Sequence, residues 1–200
     1  MTKYLLIILI CGAAFPAAAQ LNPEPDLLGV YFDQGATVRQ IRTAVPFAEV
    51  TAYLVLTHPT DPGGIAGWEC AVDVSGNLTA ERWEIGAGLN IADSSRGLFH
   101  VGIGLSPLCL PPVPTVTLAT WRAYAVSTTD PVFFRILPFP DTISFQGSPG
   151  YASGQTPGHL IPLLVDCDAA YGSVCATINY DGCGVGAENR SWSEIKTLYR

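Results

Sequence analysis

Charge is scarce in this 200-residue chain. Asp, Glu, Lys and Arg make up 14% of it, and 10 basic residues face 17 acidic ones for a net charge of −7. Lysine is nearly absent: Lys3 and Lys196 are the only two. A surface of this sign with no basic cluster repels phosphate backbones, which excludes nucleic acid as a partner. Catalytic signatures are missing as well. There is no Gly-x-Ser-x-Gly, and Gly147-Ser148-Pro149-Gly150 sets a proline behind its serine in a turn-rich stretch. There is no P-loop, and Gly102-x-Gly104 falls inside a strand pattern rather than at the start of a helix, the wrong context for a dinucleotide site. His58, His100 and His159 are far apart and stand in no His-x-x-x-His or Cys-x-x-Cys setting, so no metal is expected. Asp166-Cys167-Asp168 with Gly172 fits a calcium loop poorly, because Ala170 and Tyr171 stand where an acid or amide and a glycine are needed. No cofactor is implied. Heptads, internal repeats and long amphipathic helices are absent too, which argues against coiled coils, solenoids and α/β folds.

What is present begins at the N-terminus. Met1-Thr2-Lys3 is a short basic region, Tyr4–Ala14 is apolar, and Ala17-Ala18-Ala19 gives a small-residue cleavage pattern before Gln20. Such a run is shorter than the roughly 20 residues of a spanning helix and reads as a secretory signal peptide, residues 1–19. Cys11 follows Ile10 rather than a small residue, which argues against lipidation. No later stretch approaches spanning length, so the expected destination is periplasm, cell surface or medium. Residues 20–187 then form one domain and 188–200 a tail.

Strand signals dominate the domain. LGVYFD (28–33) and VTAYLVLT (50–57) are β-branched or aromatic runs bounded by turn residues, and His58–Gly64 is a compact Pro/Gly loop. Beyond it, Trp68, Cys70, Val72 and Val74 alternate with Glu69, Ala71 and Asp73, the period of a half-buried strand. Glu69 therefore points away from its neighbours Trp68 and Cys70, and GWEC is not a compact acid–thiol site. Further strands are expected at 78–85, at 98–105 (Phe99, Val101, Ile103 and Leu105 on one side, His100 among glycines on the other), at 115–126 and at 132–137. Residues 160–165 and 173–178 read as a hairpin, with Pro162 at an edge. This pattern predicts an all-β antiparallel sandwich, jelly-roll or immunoglobulin/cohesin-like. Residues 188–200 predict a short C-terminal helix, with a Ser191-x-x-Glu194 capping box and an apolar stripe of Trp192, Ile195 and Tyr199 available for docking.

Five cysteines follow the leader: Cys70, Cys109, Cys167, Cys175 and Cys183. Export implies disulfides, and an odd count leaves one thiol free or paired to another chain. Cys167–Cys175 would close the 160–178 hairpin and stabilise it by about 2–3 kcal/mol on loop entropy. Cys175–Cys183 across Asp181-Gly182 is the alternative, and Cys70–Cys109 the natural remaining pair. Glu69, Asp73, Glu81 and Glu84 are candidate carboxylates for glycoside hydrolysis, which needs two acids roughly 5–10 Å apart. The competing reading is that charged outer faces keep strands soluble. Trp83, Trp121 and Tyr124, with Phe133, are candidates for an exposed aromatic platform, against the alternative that they fill the core.

The leader, LGVYFD, TAYLVLTHPTDPGGIAGWEC, VGIGLSPL, VTLAT, PGYASG and SWSEIKTLYR together resemble a group of uncharacterised secreted bacterial proteins over nearly the whole mature chain. The resemblance implies export and a shared fold, and no catalytic residues. Similar chains often carry a cysteine just before the segment matching Val45–Phe47. Here residues 34–47 hold none, which implies an unpaired Cys70 and sets Cys70–Cys109 in doubt. More distantly, the strand order is similar to cohesin-like and carbohydrate-binding sandwiches, a likeness of fold alone. The expectation is a secreted or cell-surface, non-enzymatic binding or structural module whose partner is a glycan or a surface protein. The alternative is a polysaccharide hydrolase using Glu69, Glu81 or Glu84.

Overall fold

The computed structural model describes residues 21–140, 147–167 and 172–180. The leader, the 188–200 tail with Trp192, Ile195 and Tyr199, and Cys183 lie outside the described residues. Within them the chain is all β, apart from one 3₁₀ turn at Ser94–Arg96. The strands are β1 (Leu27–Tyr31), β2 (Gln40–Ile41), β3 (Ala48–Thr57), β4 (Ile65–Ser75), β5 (Leu78–Ile85), β6 (Leu89–Asn90), β7 (Leu98–Gly102), β8 (Thr115–Ala125), β9 (Val132–Leu137), β10 (Gly150–Ser153), β11 (Leu160–Pro162), β12 (Leu164–Val165) and β13 (Val174–Ile178). One sheet runs β12-β1-β3-β8-β5. The other runs β11-β10-β4-β9-β13-β2, with β7 also on β4 and β6 on β7.

The two sheets share one core, because alternation sends one face of each strand inward. Along β9, Val132, Phe134 and Ile136 are buried and Phe133, Arg135 and Leu137 are not. Trp121 of β8 meets Phe134 edge-to-face with centroids 4.9 Å apart, and Trp83 of β5 meets Phe99 of β7 at 5.2 Å. Each pair joins the two sheets. Ser75-Gly76-Asn77 accordingly does not close a hairpin within a sheet; it carries the chain from β4 in one sheet to β5 in the other.

Two expectations are corrected. The sheets are mixed rather than purely antiparallel, since β1 runs parallel to β12 and β2 parallel to β13. Residues 160–165 and 173–178 do not form a hairpin. β11 pairs with β10, β12 with β1, and β13 with β9 and β2, because the chain crosses between sheets after Val165. The Cys167–Cys175 disulfide does form, and it ties that crossing instead of a hairpin. Beside it, Asp166 accepts hydrogen bonds from Tyr31 Oη at 2.6 Å and Asn22 Nδ2 at 3.3 Å, and Arg39 Nη1 pairs with it at 3.3 Å.

A second polar knot closes the other end. Tyr151, fully buried on β10, donates its hydroxyl to Asp26 Oδ1 at 2.9 Å and accepts from the Asp61 amide at 3.1 Å. Asp26 also accepts from the Thr60 amide and hydroxyl at 2.8 and 2.6 Å. Burial, reinforced by the Asp26 carboxylate that the hydroxyl serves, pushes Tyr151 up to about 12; burial and Asp166 push Tyr31 up as well. A tyrosine raised on folding stabilises the fold fully below its unfolded pKa of about 10 and loses that contribution as pH rises through the folded value. Stability should therefore fall between pH 10 and about 12, more steeply than in Tyr151→Phe, whose starting stability is lower. Denaturant titrations at stepped pH check this, and parallel slopes for the two proteins would refute it.

Candidate functional site

The most developed surface feature lies on the outer face of the larger sheet. β4 pairs along one edge with β7 over Gly67–Ala71. Along its other edge it pairs first with β9, Ser75↔Phe133 to Ala71↔Leu137, then with β10, Glu69↔Gly150 to Ile65↔Ser153. β9 and β10 thus lie end to end along one edge of β4, with residues 138–149 leaving the sheet between them.

Register fixes which side chains share the outer face. One row across five strands reads Leu89, Gly102, Gly67, Ala152, Leu160. The neighbouring row reads His100, Glu69, Gly150, Pro162, with Ile91 beside His100 through its amide bond to the His100 carbonyl at 3.0 Å. Large side chains therefore stand at the ends of the first row and minimal ones fill its middle. The result is a trough of about 400 Å³, floored by Ala66, Gly67, Gly102 and Ala152. Its two walls are roughly four strand spacings, or about 19 Å, apart by backbone. Leu89 and Ile91 are 70% and 72% exposed, and Leu160 38%.

The polar end is different. Glu69 is only 2% exposed although it faces outward. His100 Nδ1 stands 3.9 Å from its Oε2 and is half-buried. The imidazole takes the Phe139 ring edge-to-face at 5.6 Å. Cys70, one residue on, faces the core among Trp68, Val72 and Phe99. Burial, with the Glu69 charge adding to it, pushes its thiol far up, so it is no nucleophile. The alternation inferred from GWEC thus holds in the structure, but the sequence gave no sign that the outward acid would be covered.

The Cys70–Cys109 pairing is corrected: both are free thiols. Cys109 Sγ sits 2.9 Å from the Gly63 carbonyl, beside the Ile65↔Leu110 bridge. Cys70 is five residues further along β4, roughly 17 Å away, and a bridge tolerates only about 7 Å between Cα atoms.

The aromatic candidates do not assemble. Trp121 is fully buried in the core and closed to any ligand, Trp83 is half-buried against Phe99, and Tyr124 is 38% exposed on the smaller sheet. The carboxylates divide similarly. Glu84, on the outer face, pairs with Arg82 at 3.4 Å. Glu81 joins Asp73, Trp83, Ser95 and Arg96 around a polar recess of about 230 Å³. Partial burial raises Glu81 above the usual carboxylate range, while Asp73 is held as an ion pair by Arg135 at 3.1 Å. Among the described residues, no three His, Cys, Asp or Glu side chains gather to hold a metal ion, and no helix is long and apolar enough to cross a membrane. The Asp166 carboxylate is engaged by Tyr31, Asn22 and Arg39. No protein-family model matches the chain, and no curated protein matches it.

Sequence reasoning missed the walls. Leu89 and Ile91 lie on a two-residue strand and its continuation, too short to show periodicity; Leu160 sits beside a proline-bearing edge. Expected strand 98–105 also ends early, at Gly102, which leaves Leu105 45% exposed. The two floor glycines differ physically. A Cβ on Gly67 would meet the Val101 carbonyl oxygen at 2.6 Å, whereas one on Gly102 meets nothing within 4 Å. Gly67→Ala should cost about 1–3 kcal/mol, and Gly102→Ala should stay within about 0.5 kcal/mol. Urea denaturation of both variants checks the contrast; a neutral Gly67→Ala would show that close β4–β7 approach is not a constraint.

Proposed function

We propose that the protein is an exported, non-enzymatic binding module on a β-sandwich scaffold of jelly-roll or immunoglobulin/cohesin-like kind, and that its ligand enters the trough on the outer face of the larger sheet. Export rests on the leader-like residues 1–19 and agrees with the disulfide. The observation that carries the binding reading is the row Leu89, Gly102, Gly67, Ala152, Leu160, in which exposed apolar walls flank a floor without side-chain bulk. A mainly apolar concavity of this volume with a few convergent polar groups is the usual form of a ligand site. The partners expected from the sequence are a glycan or a surface protein, and apolar walls favour an apolar group on whichever partner is bound.

The hydrolase alternative has one observation behind it. Asp73 and Glu81 share a recess with Trp83, and Glu81 is raised while Asp73 is ion-paired, the division of labour that glycoside hydrolysis uses. Under that reading the wild type releases reducing ends from a polysaccharide and Glu81→Gln does not. Absence of release by the wild type across a substrate panel removes it.

For the binding reading, Nile red, a neutral polarity-sensitive dye, should bind the wild type and bind Gly102→Phe about tenfold more weakly. The new ring fills open space on the floor, so the variant should keep its fold. Equal binding by the two proteins would overturn the trough as the site.

A further inference from the structure

An acid at the end of an apolar trough limits what can lie there. Glu69 projects from the middle of β4, where Gly150 on one side and His100 on the other are its register partners. At 2% exposure its carboxylate has lost most of its water, and a charge in that position is stabilised by a cation or by donors that reach it. His100 Nδ1, at 3.9 Å, is outside direct hydrogen-bond distance and is itself drawn against Phe139. The rest of the trough, from Leu89 and Ile91 across Gly102 and Gly67 to Leu160, offers apolar contact. The chain as a whole is acidic, at −7, so its field attracts cations and repels carboxylates and phosphates.

We propose that the ligand of this trough is a small amphiphilic amine, its apolar body lying over the Gly102–Gly67 floor between Leu89 and Leu160 and its protonated nitrogen directed at Glu69. This rests on the trough being the binding site and adds the chemical class of what occupies it. The apolar body supplies non-directional affinity in proportion to the area it removes from water. The charged nitrogen supplies selection, because a desolvated carboxylate rewards a cation and penalises an anion. A neutral analogue of the same length keeps the first contribution and loses the second.

Three probes of one chain length separate these contributions: decylamine, 1-decanol and decanoate, each measured by displacement of Nile red below its micellar concentration. In the wild type decylamine should bind about tenfold to a hundredfold more tightly than decanol, with decanoate weakest. In Glu69→Gln the amine should fall to the level of the alcohol while the alcohol is unchanged. In Gly102→Phe, which leaves every charge in place, both should be lost. Equal affinity of amine and alcohol in the wild type overturns the proposal and leaves the trough reading intact. Preference for decanoate overturns it likewise. Amine binding that survives Gly102→Phe places the amine on the acidic surface instead and also overturns it. Failure of all three probes and of the dye itself defeats the trough reading as well. Should Glu69→Gln fail to fold, the amine-to-alcohol ratio in the wild type, together with its loss in Gly102→Phe, decides the question.

Discussion

The period-two alternation of β4 is the constraint on which the rest of this architecture depends. Ile65, Trp68, Cys70 and Val72 face the shared core, and the strand sits between β7 on one edge and the β9–β10 line on the other. Its inward face carries the packing against the smaller sheet. Its outward face carries Gly67 and Glu69, the floor and polar end of the trough. A slip of one residue would exchange the two sets, placing a carboxylate in the core and a tryptophan in the trough. One register therefore fixes stability and site together. The Trp68–Phe99 and Trp83–Phe99 contacts, both at 5.2 Å, hold that register from the core side.

The concavity itself comes from what the sheet omits. Closely paired strands normally present side chains at every second position, which fill the outer face evenly. Here Gly102, Gly67, Gly150 and Ala152 occupy adjacent outer-face positions on three neighbouring strands. Gly67 is demanded by the fold, because the Val101 carbonyl stands where its Cβ would be. Gly102 is not: its Cβ direction is open and its backbone is not in the left-handed region. A glycine lowers strand stability through entropy and absent packing, so an unforced one on the floor of a trough is better explained by the space it leaves than by the strand it belongs to.

Much of this was legible in the sequence, and the parts that were not share a cause. Long alternating runs such as 50–57, 115–126 and 132–137 became β3, β8 and β9 because their pattern is local and each strand reads its own two faces. The faces of Glu69 and Cys70 were legible for the same reason. Pairing was not. The 160–165 and 173–178 segments looked like a hairpin because they are close in sequence, but each is an edge element that finds partners from a distant part of the chain. The bridging of Cys167 and Cys175 was anticipated, its setting between two sheets was not. The trough fell into the same gap: its walls come from β6, β11 and the residue after β6, elements of two or three residues with no periodicity of their own. Only the cross-strand register of β6, β7, β4, β10 and β11 brings Leu89, Glu69 and Leu160 to one surface.

The chemistry available in the trough also bears on whether it binds or catalyses. Its lining holds an acid and an imidazole but no serine, threonine, cysteine or lysine to act as a nucleophile. Cys70 is close in sequence but sits on the other side of the sheet in a dry core, with its thiol held protonated by burial. Covalent catalysis therefore lacks its central group here. Binding, by contrast, is favoured by what the free protein leaves unsatisfied. Leu89 and Ile91 each forgo roughly 1.5–3 kcal/mol by remaining in water, a cost that folding has no means to recover and that an apolar ligand does. The Glu69 carboxylate carries the opposite kind of cost, that of a charge drawn away from solvent. A ligand relieving both has to be apolar over most of its length and cationic at one end.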